Sequence, residues 1–434
     1  MEILLVAPEK ARYQGDPNHL GQPLFPPLSL MTVAALTPEK HNVTIIDETI
    51  EATDFDQEPD LVGLTAITAN APRAYQIADR FRQQGVPVVM GGMHASALPE
   101  EALQHVDSVV IGEAEELWPR LLDDFQHGSL QPIYRHEEYP DPAKIPAARR
   151  DLIDIDKYVA KYTMQATRGC PFACSFCTVS TFFGRTYRTR PVEDVIAEAA
   201  SLKGKPLILV DDNIMGAPSY AEKLFERLAD LKTTFLTQAS ATMLKTPELI
   251  TKAAQAGCQA LFVGLESISP EQLAKVGKKF NPVERYKELV QRLHDNGISI
   301  IGSFMFGLDG DEPDVFERTA DFAEEAQIDI AQFSILTPLP GTKLYEQLRR
   351  EDRIFEDDWS NYDGTRATFI PRGMSREKLD AGLQWIYERF YSWRSIFKRT
   401  ARRLQPLIWT ANAIYHRRVG KWISERRQQL ATGE

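Results

Sequence analysis

Three of the chain's four cysteines fall within eight residues, in the run Gly169-Cys170-Pro171-Phe172-Ala173-Cys174-Ser175-Phe176-Cys177, directly after an apolar stretch at 162–167. Thiolates are soft ligands suited to zinc or iron–sulfur clusters, and this spacing lets several sulfurs converge on one metal centre. A structural zinc site asks for a fourth protein ligand. The remaining cysteine, Cys258, lies 81 residues beyond Cys177 at the head of another apolar stretch, a core position. Three thiolates can instead hold three irons of a four-iron cluster, leaving the fourth iron to another ligand. Zinc and a plain electron-transfer cluster stay open on spacing alone. Clustered cysteines argue against a disulfide framework and for a reducing compartment.

Residues 1–135 alternate short apolar strands (3–7, 43–47, 61–65, 86–90, 108–111) with helical stretches, among them 28–36, 73–84 and 100–104. In the second of these, Tyr75, Ile77, Ala78 and Phe81 make one apolar face. The alternation predicts a parallel, doubly wound sheet, which binds ligands at the carboxyl ends of its strands. Those ends carry Ala7-Pro8, Asp47-Glu48, Thr65 to Thr68, Gly91-Gly92-Met93-His94 and Gly112-Glu113-Ala114-Glu115. Glycine lets backbone approach a large ligand, and hydroxyls offer hydrogen bonds. No G-x-G-x-x-G occurs, so a dinucleotide is not indicated. A proline-rich stretch, 136–150, reads as a linker.

From 162 the rhythm resumes, with strands at 162–167, 207–210, 235–239, 260–264, 299–306 and 331–336. Six βα units are too few for a closed eight-stranded barrel, and parallel barrels keep their chemistry at the C-terminal strand ends. There stand Asp211-Asp212-Asn213, Gln238-Ala239-Ser240, Gly264-Leu265-Glu266-Ser267 and, in the fifth strand, Met305. Two adjacent carboxylates can anchor a ligand ammonium, although one of them equally suits a helix cap. Residues 351–434 turn helical and end in a basic tail: from 392 on, ten Lys and Arg face two Glu, a local +8 on a chain of net charge −11.

The C-x3-C-x2-C loop, with aromatic Phe176 before its last cysteine, resembles the cluster loop of the radical S-adenosylmethionine (SAM) enzymes. The resemblance implies a partial (β/α)6 barrel over 136–350 and a [4Fe–4S] cluster on Cys170, Cys174 and Cys177. SAM would chelate the open iron and be cleaved to a 5′-deoxyadenosyl radical. Phe176 would flank the adenine, and Asp211 or Asp212 stands where the family carries a Gly-Gly-Glu-type motif facing SAM's amino group. Gln238 and Ser240 would join the SAM cleft, Glu266 would meet the ribose, and the strand bearing Met305 would bracket the adenine. Lys278 offers a partner for the SAM carboxylate, against the commoner reading of Lys278-Lys279 as a solvated face.

Placed before that loop, residues 1–135 resemble the cobalamin-binding domain of class B radical SAM enzymes, on the segments Val88 to His94 and Ile111 to Glu115. This implies cobalamin near Thr65, Thr68, Gly91, Gly92, His94, Gly112 and Glu113. The Asp-x-His-x-x-Gly signature is missing, so His94 is expected in the cleft but not on cobalt. An empty relic cleft is the alternative. Expected with these cofactors are methyl transfer to an unactivated carbon of a small or hydrophobic metabolite and an electron donor, flavodoxin or ferredoxin. Radical cyclisation or oxidation, aminocarboxypropyl transfer, and a non-catalytic cobalamin or cluster sensor stay open. Tyr362 and Arg372 of the C-terminal extension are substrate-site candidates weighed against plain packing.

At 43% apolar and 26% charged residues, with no apolar run near ~18 residues and no cationic start before Ile3, a cytoplasmic globular protein is expected. Nucleic acid is not an expected partner. Residues 392–434 carry two readings: peripheral contact with anionic lipid at the inner membrane face, or a helix packed on the acidic body.

Overall fold

The computed structural model describes residues 1–9, 23–202, 204–401, 403 and 405–432, with side chains through Glu425. The first sheet contains β1 (Glu2–Ala7), β2 (Asn42–Asp47), β3 (Leu61–Thr65), β4 (Val88–Gly91), β5 (Ser108–Ile111) and β6 (Ile133–Arg135). All run parallel, in the order β2-β1-β3-β4-β5-β6. Alternate residues feed opposite cores, as a period of two requires. Leu4, Val6, Val62 and Met90 meet Ala74, Ile77, Ala78 and Phe81 of helix Ala71–Gln83. Ile3, Leu5, Leu61, Val89 and Val110 meet Leu30, Met31, Leu117, Trp118 and Leu121 on the other face. The sixth strand was not expected: it has three residues, of which only Tyr134 is buried, too short to show as an apolar run.

The second sheet is an open, parallel partial barrel of β7 (Tyr162–Met164), β10 (Leu207–Leu209), β11 (Phe235–Ala239), β12 (Cys258–Glu266), β13 (Ser299–Phe306) and β14 (Ile330–Ile335). The stretch at 162–167 does not continue as one strand. It leaves the sheet after Met164 and forms β8 (Thr167–Arg168), which pairs antiparallel with β9 (Arg188–Thr189). The cause is Asp211, whose carboxylate accepts from Ala166 N, Thr167 N and Thr167 Oγ1.

Helices of the C-terminal extension cover the open edge at β14. From helix Arg376–Phe390, Tyr387 Oη accepts from Phe333 N and donates to Phe333 O, at 3.1 and 2.9 Å. Just past that helix, Tyr391 does the same for Ala331. Exposed edges invite unwanted pairing, and two hydroxyls satisfy this one.

The basic tail splits the two readings made of it. Ile408, Val419, Trp422 and Ile423 are buried, the last three within the barrel core. Arg399 is wholly buried, its carbon 3.6 Å from the Phe390 ring centre, and donates to Ile328 O and Asp329 O. Burial lowers its pKa to about 10. Trp393, Phe397, Leu407 and Ile414 stay exposed. Arg402 and Leu404 lie outside the described residues. Among the described residues no helix is long and apolar enough to cross a membrane.

Candidate cofactor cleft between the two sheets

The cysteine loop leaves and rejoins the protein at the β8–β9 ladder, where Arg168 stands opposite Arg188. Gly169 has φ +83°, and a Cβ there would come 2.3 Å from Thr186 O, so only glycine closes the loop. Ser175 O accepts from Leu344 N, and Ser175 N donates to Val276 O. Phe172 stacks on Phe280 with centroids 3.6 Å apart, and Phe176 packs on the barrel core. Cys170, Cys174 and Cys177 remain partly accessible, whereas Cys258 is buried. Burial pushes the Cys174 thiol up to about 12 and raises the other two, so thiolates here need a positive centre beside them. Among the described residues no three His, Cys, Asp or Glu are gathered as closely as one ion requires. A four-iron cluster takes one thiolate per iron and so accepts wider spacing.

At the barrel strand ends the two aspartates part company. Asp211 is completely buried and spent on backbone and Thr167, with its pKa raised by burial to about 7. It is not free to meet an ammonium, which corrects that half of the expectation. Asp212 accepts from Gly169 N at 3.2 Å beside the cysteine loop, and burial raises it to about 6. Gln238 O accepts from Ile214 N, and Ser240 N donates to Asn213 Oδ1, so this pair is tied to the Asp212 turn. Met305 is buried in the barrel core, which leaves only its strand's backbone for a ligand.

Glu266 holds φ +65° at a register shift of β12 against β13. A non-glycine residue in that region costs about 1–3 kcal/mol and persists where its surroundings insist on it. Its Oε1 lies 2.6 Å from Lys278 Nζ. Gly264 makes room, since a Cβ there would be 2.4 Å from Glu266 Oε1 and 2.8 Å from Lys278 Nζ. Lys278 is therefore not on a solvated face: it is buried, and although burial works against its charge, Glu266 holds its pKa above the ordinary value.

A cleft of about 360 Å3 opens at the strand ends of the first sheet. Thr65, Gly91, Gly92, Gly112 and Glu113 line it, with Gln165, Arg168, Phe182 and Phe183 from the barrel side. Gly92 has φ +93°, and a Cβ there would sit 2.7 Å from Ala66 O. The cleft extends into an apolar slot between Leu5, Leu30, Val89, Val110 and Trp118. Gly63 keeps it open, because a Cβ there would be 2.7 Å from Leu5 Cδ2 and 3.5 Å from Trp118. Glycine strand ends over an apolar slot fit a flat, bulky cofactor with an appended aromatic base.

Two residues expected in this cleft lie off it, and a third lines it with its carboxylate already engaged. His94 is wholly buried, its Nε2 3.0 Å from Tyr75 Oη and 3.3 Å from Glu101 Oε1, and it does not line the cleft. Trp359 Nε1 donates to the same Glu101 at 2.9 Å, so this cluster fastens the C-terminal extension to the first domain. Thr68 is buried at the start of the turn Thr68–Asn70, also off the cleft. Glu113 does line it, but its carboxylate is taken by Arg168 and Arg188. No local pattern marked those two arginines. Tyr362 is buried, donating to Glu356 O, and Arg372 lies exposed beside Glu351; neither lines the cleft, and packing is the role the contacts describe.

Three family profiles match in series: the B12 binding domain over residues 22–122, the radical SAM superfamily over 164–323, and a domain of unknown function (DUF4070) over 342–427. The bacteriochlorophyllide d C-12(1)-methyltransferase of Chlorobaculum tepidum is 32% identical over 412 residues, covering 92% of this chain and 90% of its own. The hopanoid C-2 methylase of Rhodopseudomonas palustris is 28% identical over 380 residues, 82% of this chain and 71% of its own. The solved structure of the radical SAM methyltransferase TsrM from Kitasatospora setae, holding tryptophan and a SAM analogue, covers 99% of both chains at TM-score 0.68 and 17% identity, a likeness of fold. With a B12-binding domain set ahead of a radical SAM core and a 32% identical relative matched over nearly its whole length, the chain belongs to the class B radical SAM family.

Proposed function

We propose that this chain is a cobalamin-dependent radical SAM C-methyltransferase acting on an unactivated carbon of a hydrophobic small molecule. The observation that carries it is the juxtaposition itself: a glycine-lined cleft and apolar slot on one sheet, closed from the barrel side by Arg168, Phe182 and Phe183, which flank the three-cysteine loop in sequence. When bound, the cluster with SAM supplies a radical that takes hydrogen from carbon, and cobalamin supplies the methyl group. Cys170, Cys174 and Cys177 hold the cluster. Asp212 offers its carboxylate to SAM's ammonium, and Glu266, paired with Lys278, accepts from the ribose hydroxyls. Phe176 covers the adenine. Thr65, Gly91, Gly92 and Gly112 receive the corrin, and Phe182 and Phe183 help keep water from the space between. Both curated relatives carry in their names a polycyclic, hydrophobic acceptor, which supports an acceptor of that class here.

The test uses anaerobically reconstituted full-length protein with reductant and SAM bearing a deuterated methyl group. Expected are 5′-deoxyadenosine, S-adenosylhomocysteine and label on bound cobalamin. Full iron content with no release of 5′-deoxyadenosine overturns the radical step of this reading. Release of 5′-deoxyadenosine without S-adenosylhomocysteine or labelled cobalamin points instead to radical chemistry without methylation.

Two finer parts complete the reading. A flavodoxin or ferredoxin reduces the cluster. The tail touches anionic lipid through exposed Trp393, Phe397, Leu407 and Ile414, with Arg394 and Arg417 exposed around them. Gln405 bonds Ser299 at the start of β13, and Arg403 pairs with Asp329 just before β14, so the patch lies at the end of the barrel away from the cysteine loop. Contact there tethers the protein and does not feed the cleft. Sedimentation with anionic but not neutral vesicles, lost in Trp393→Ala/Phe397→Ala, is expected; equal sedimentation of both proteins would remove the lipid contact.

A further inference from the structure

The base of the cysteine loop is tied to the first domain by four charges, of which Arg168, Glu113 and Glu115 are buried and Arg188 is partly buried. Arg168 Nη1 lies 2.5 Å from Glu113 Oε2, and Arg188 Nη2 lies 2.5 Å from Glu113 Oε1. Arg168 Nη2 also pairs with Glu115. The two carboxylates follow Gly112 at the end of β5, on the cleft, while the two arginines stand opposite each other in the β8–β9 ladder. One arginine immediately precedes Gly169-Cys170, and the other closes the loop eleven residues after Cys177. Arg188 further donates to Pro140 O at 2.8 Å in the linker and lies over the Tyr139 ring at 4.9 Å. Arg168 Nε donates to Gln165 Oε1 at 3.1 Å.

We infer that Arg168, Arg188, Glu113 and Glu115 form a positioning strut, which sets the distance and angle between the cysteine loop and the cobalamin-side cleft. Two positive and two negative charges balance, and each guanidinium offers a rigid fork that fixes direction as well as contact. A buried ion pair is a poor source of stability compared with apolar packing of the same volume, so its value here is geometric. An apolar seam would join the sheets but allow them to slide. The strut grips both ends of the loop and refers them to one residue, Glu113, beside Gly112. Two cofactors that must address one carbon need that accuracy, because misplacement by about 1 Å can cost on the order of a hundredfold in rate.

The inference rests on the cofactor assignment proposed above, and the experiment separates the two. The full chain is loaded with cluster and hydroxocobalamin, then reduced so that the cluster and cob(II)alamin each carry one unpaired spin. Pulsed electron paramagnetic resonance reads the distance between them. Wild type is expected to give one narrow distance band. Arg168→Gln and Glu113→Gln should broaden or shift that band while iron and cobalt contents stay at wild-type level. Arg168→Lys, which keeps the charge but not the fork, should fall between. Variants with full iron and cobalt whose distance band overlays wild type overturn the strut. If Arg168→Gln no longer takes up cluster, Glu115→Gln on the far side of the cleft carries the same measurement. Loss of cluster in every variant with cobalamin retained also overturns it, since the arginines would then support only the loop. A wild-type chain that binds no cobalamin overturns both the strut and the cofactor reading, and shows this without any variant.

Discussion

The first-sheet side of the cleft is made by leaving side chains out, and the barrel side by placing charged ones. Gly63, Gly91, Gly92 and Gly112 open a bed for a broad ligand, and at Gly63 and Gly92 a single added carbon would strike a neighbour. On the barrel, Cys170, Cys174, Cys177, Asp212 and the Glu266–Lys278 pair carry the chemistry. A large apolar cofactor is held by shape and burial, which glycine provides without adding groups of its own. A small polar one is held by directional charge, which requires side chains fixed by neighbours. Substitutions should therefore fail differently on the two sides.

The largest effect is expected at the cysteines. Cys170→Ala, Cys174→Ala and Cys177→Ala should each abolish the visible iron–sulfur absorption of reconstituted protein, wild type holding about four irons per chain. Cys258→Ala, in the barrel core, should keep it; if Cys258 proves equally necessary, the three-cysteine site is wrong. Next comes the glycine side. Gly92→Ala forces a side chain into φ +93° and against Ala66 O, so hydroxocobalamin uptake, followed by absorbance, should be lost while iron content is kept. Uptake equal to wild type would mean that the cofactor does not lie on this strand end.

A middle-sized effect belongs to the polar pair. Glu266→Gln removes a charged acceptor worth about 1.5–3 kcal/mol, lowering SAM affinity on the order of tenfold or more by calorimetry, with the cluster intact. Asp212→Asn should act likewise. Asp211→Asn should instead lower the melting temperature with SAM affinity nearly unchanged, since its carboxylate holds Ala166 and Thr167. Equal loss of SAM affinity in both aspartate variants would put Asp211 back in the cleft. The smallest effect on the cofactors is expected at His94. His94→Ala should leave the spectrum of bound cobalt unchanged and lower stability by about 1–3 kcal/mol in denaturant titration, because a buried polar contact is lost. A cobalt spectrum that changes would return His94 to the cleft.

The glycine side was easier to read in advance than the charged side. Gly91-Gly92 and Gly112 announce themselves because strand ends follow from periodicity, and glycine at a strand end is a local signal. The cysteine spacing is equally local. On the charged side, Asp211 and Asp212 are neighbours with identical chemistry, and only the fold shows one facing Thr167 and the other Gly169. Lys278 has the composition of a surface residue and is buried by the approach of β12. His94 sits in a glycine-rich strand end yet turns away, drawn to Tyr75 and Glu101, with Trp359 joining from 258 residues beyond Glu101.

What the sequence alone determined was everything set by spacing and period: two parallel α/β layers, the cysteine loop after the first barrel strand, and glycines where a ligand must come close. Those signals survive because each is carried by residues within one turn or one strand. What only the tertiary structure decided was which charged group faces which. Arg168 and Glu113 are 55 residues apart, Arg188 and Glu113 are 75 apart, and nothing in either segment marks the other as its partner. Burial makes such pairings decisive, because a charge away from water must find its counter-charge, and chain folding chooses that neighbour.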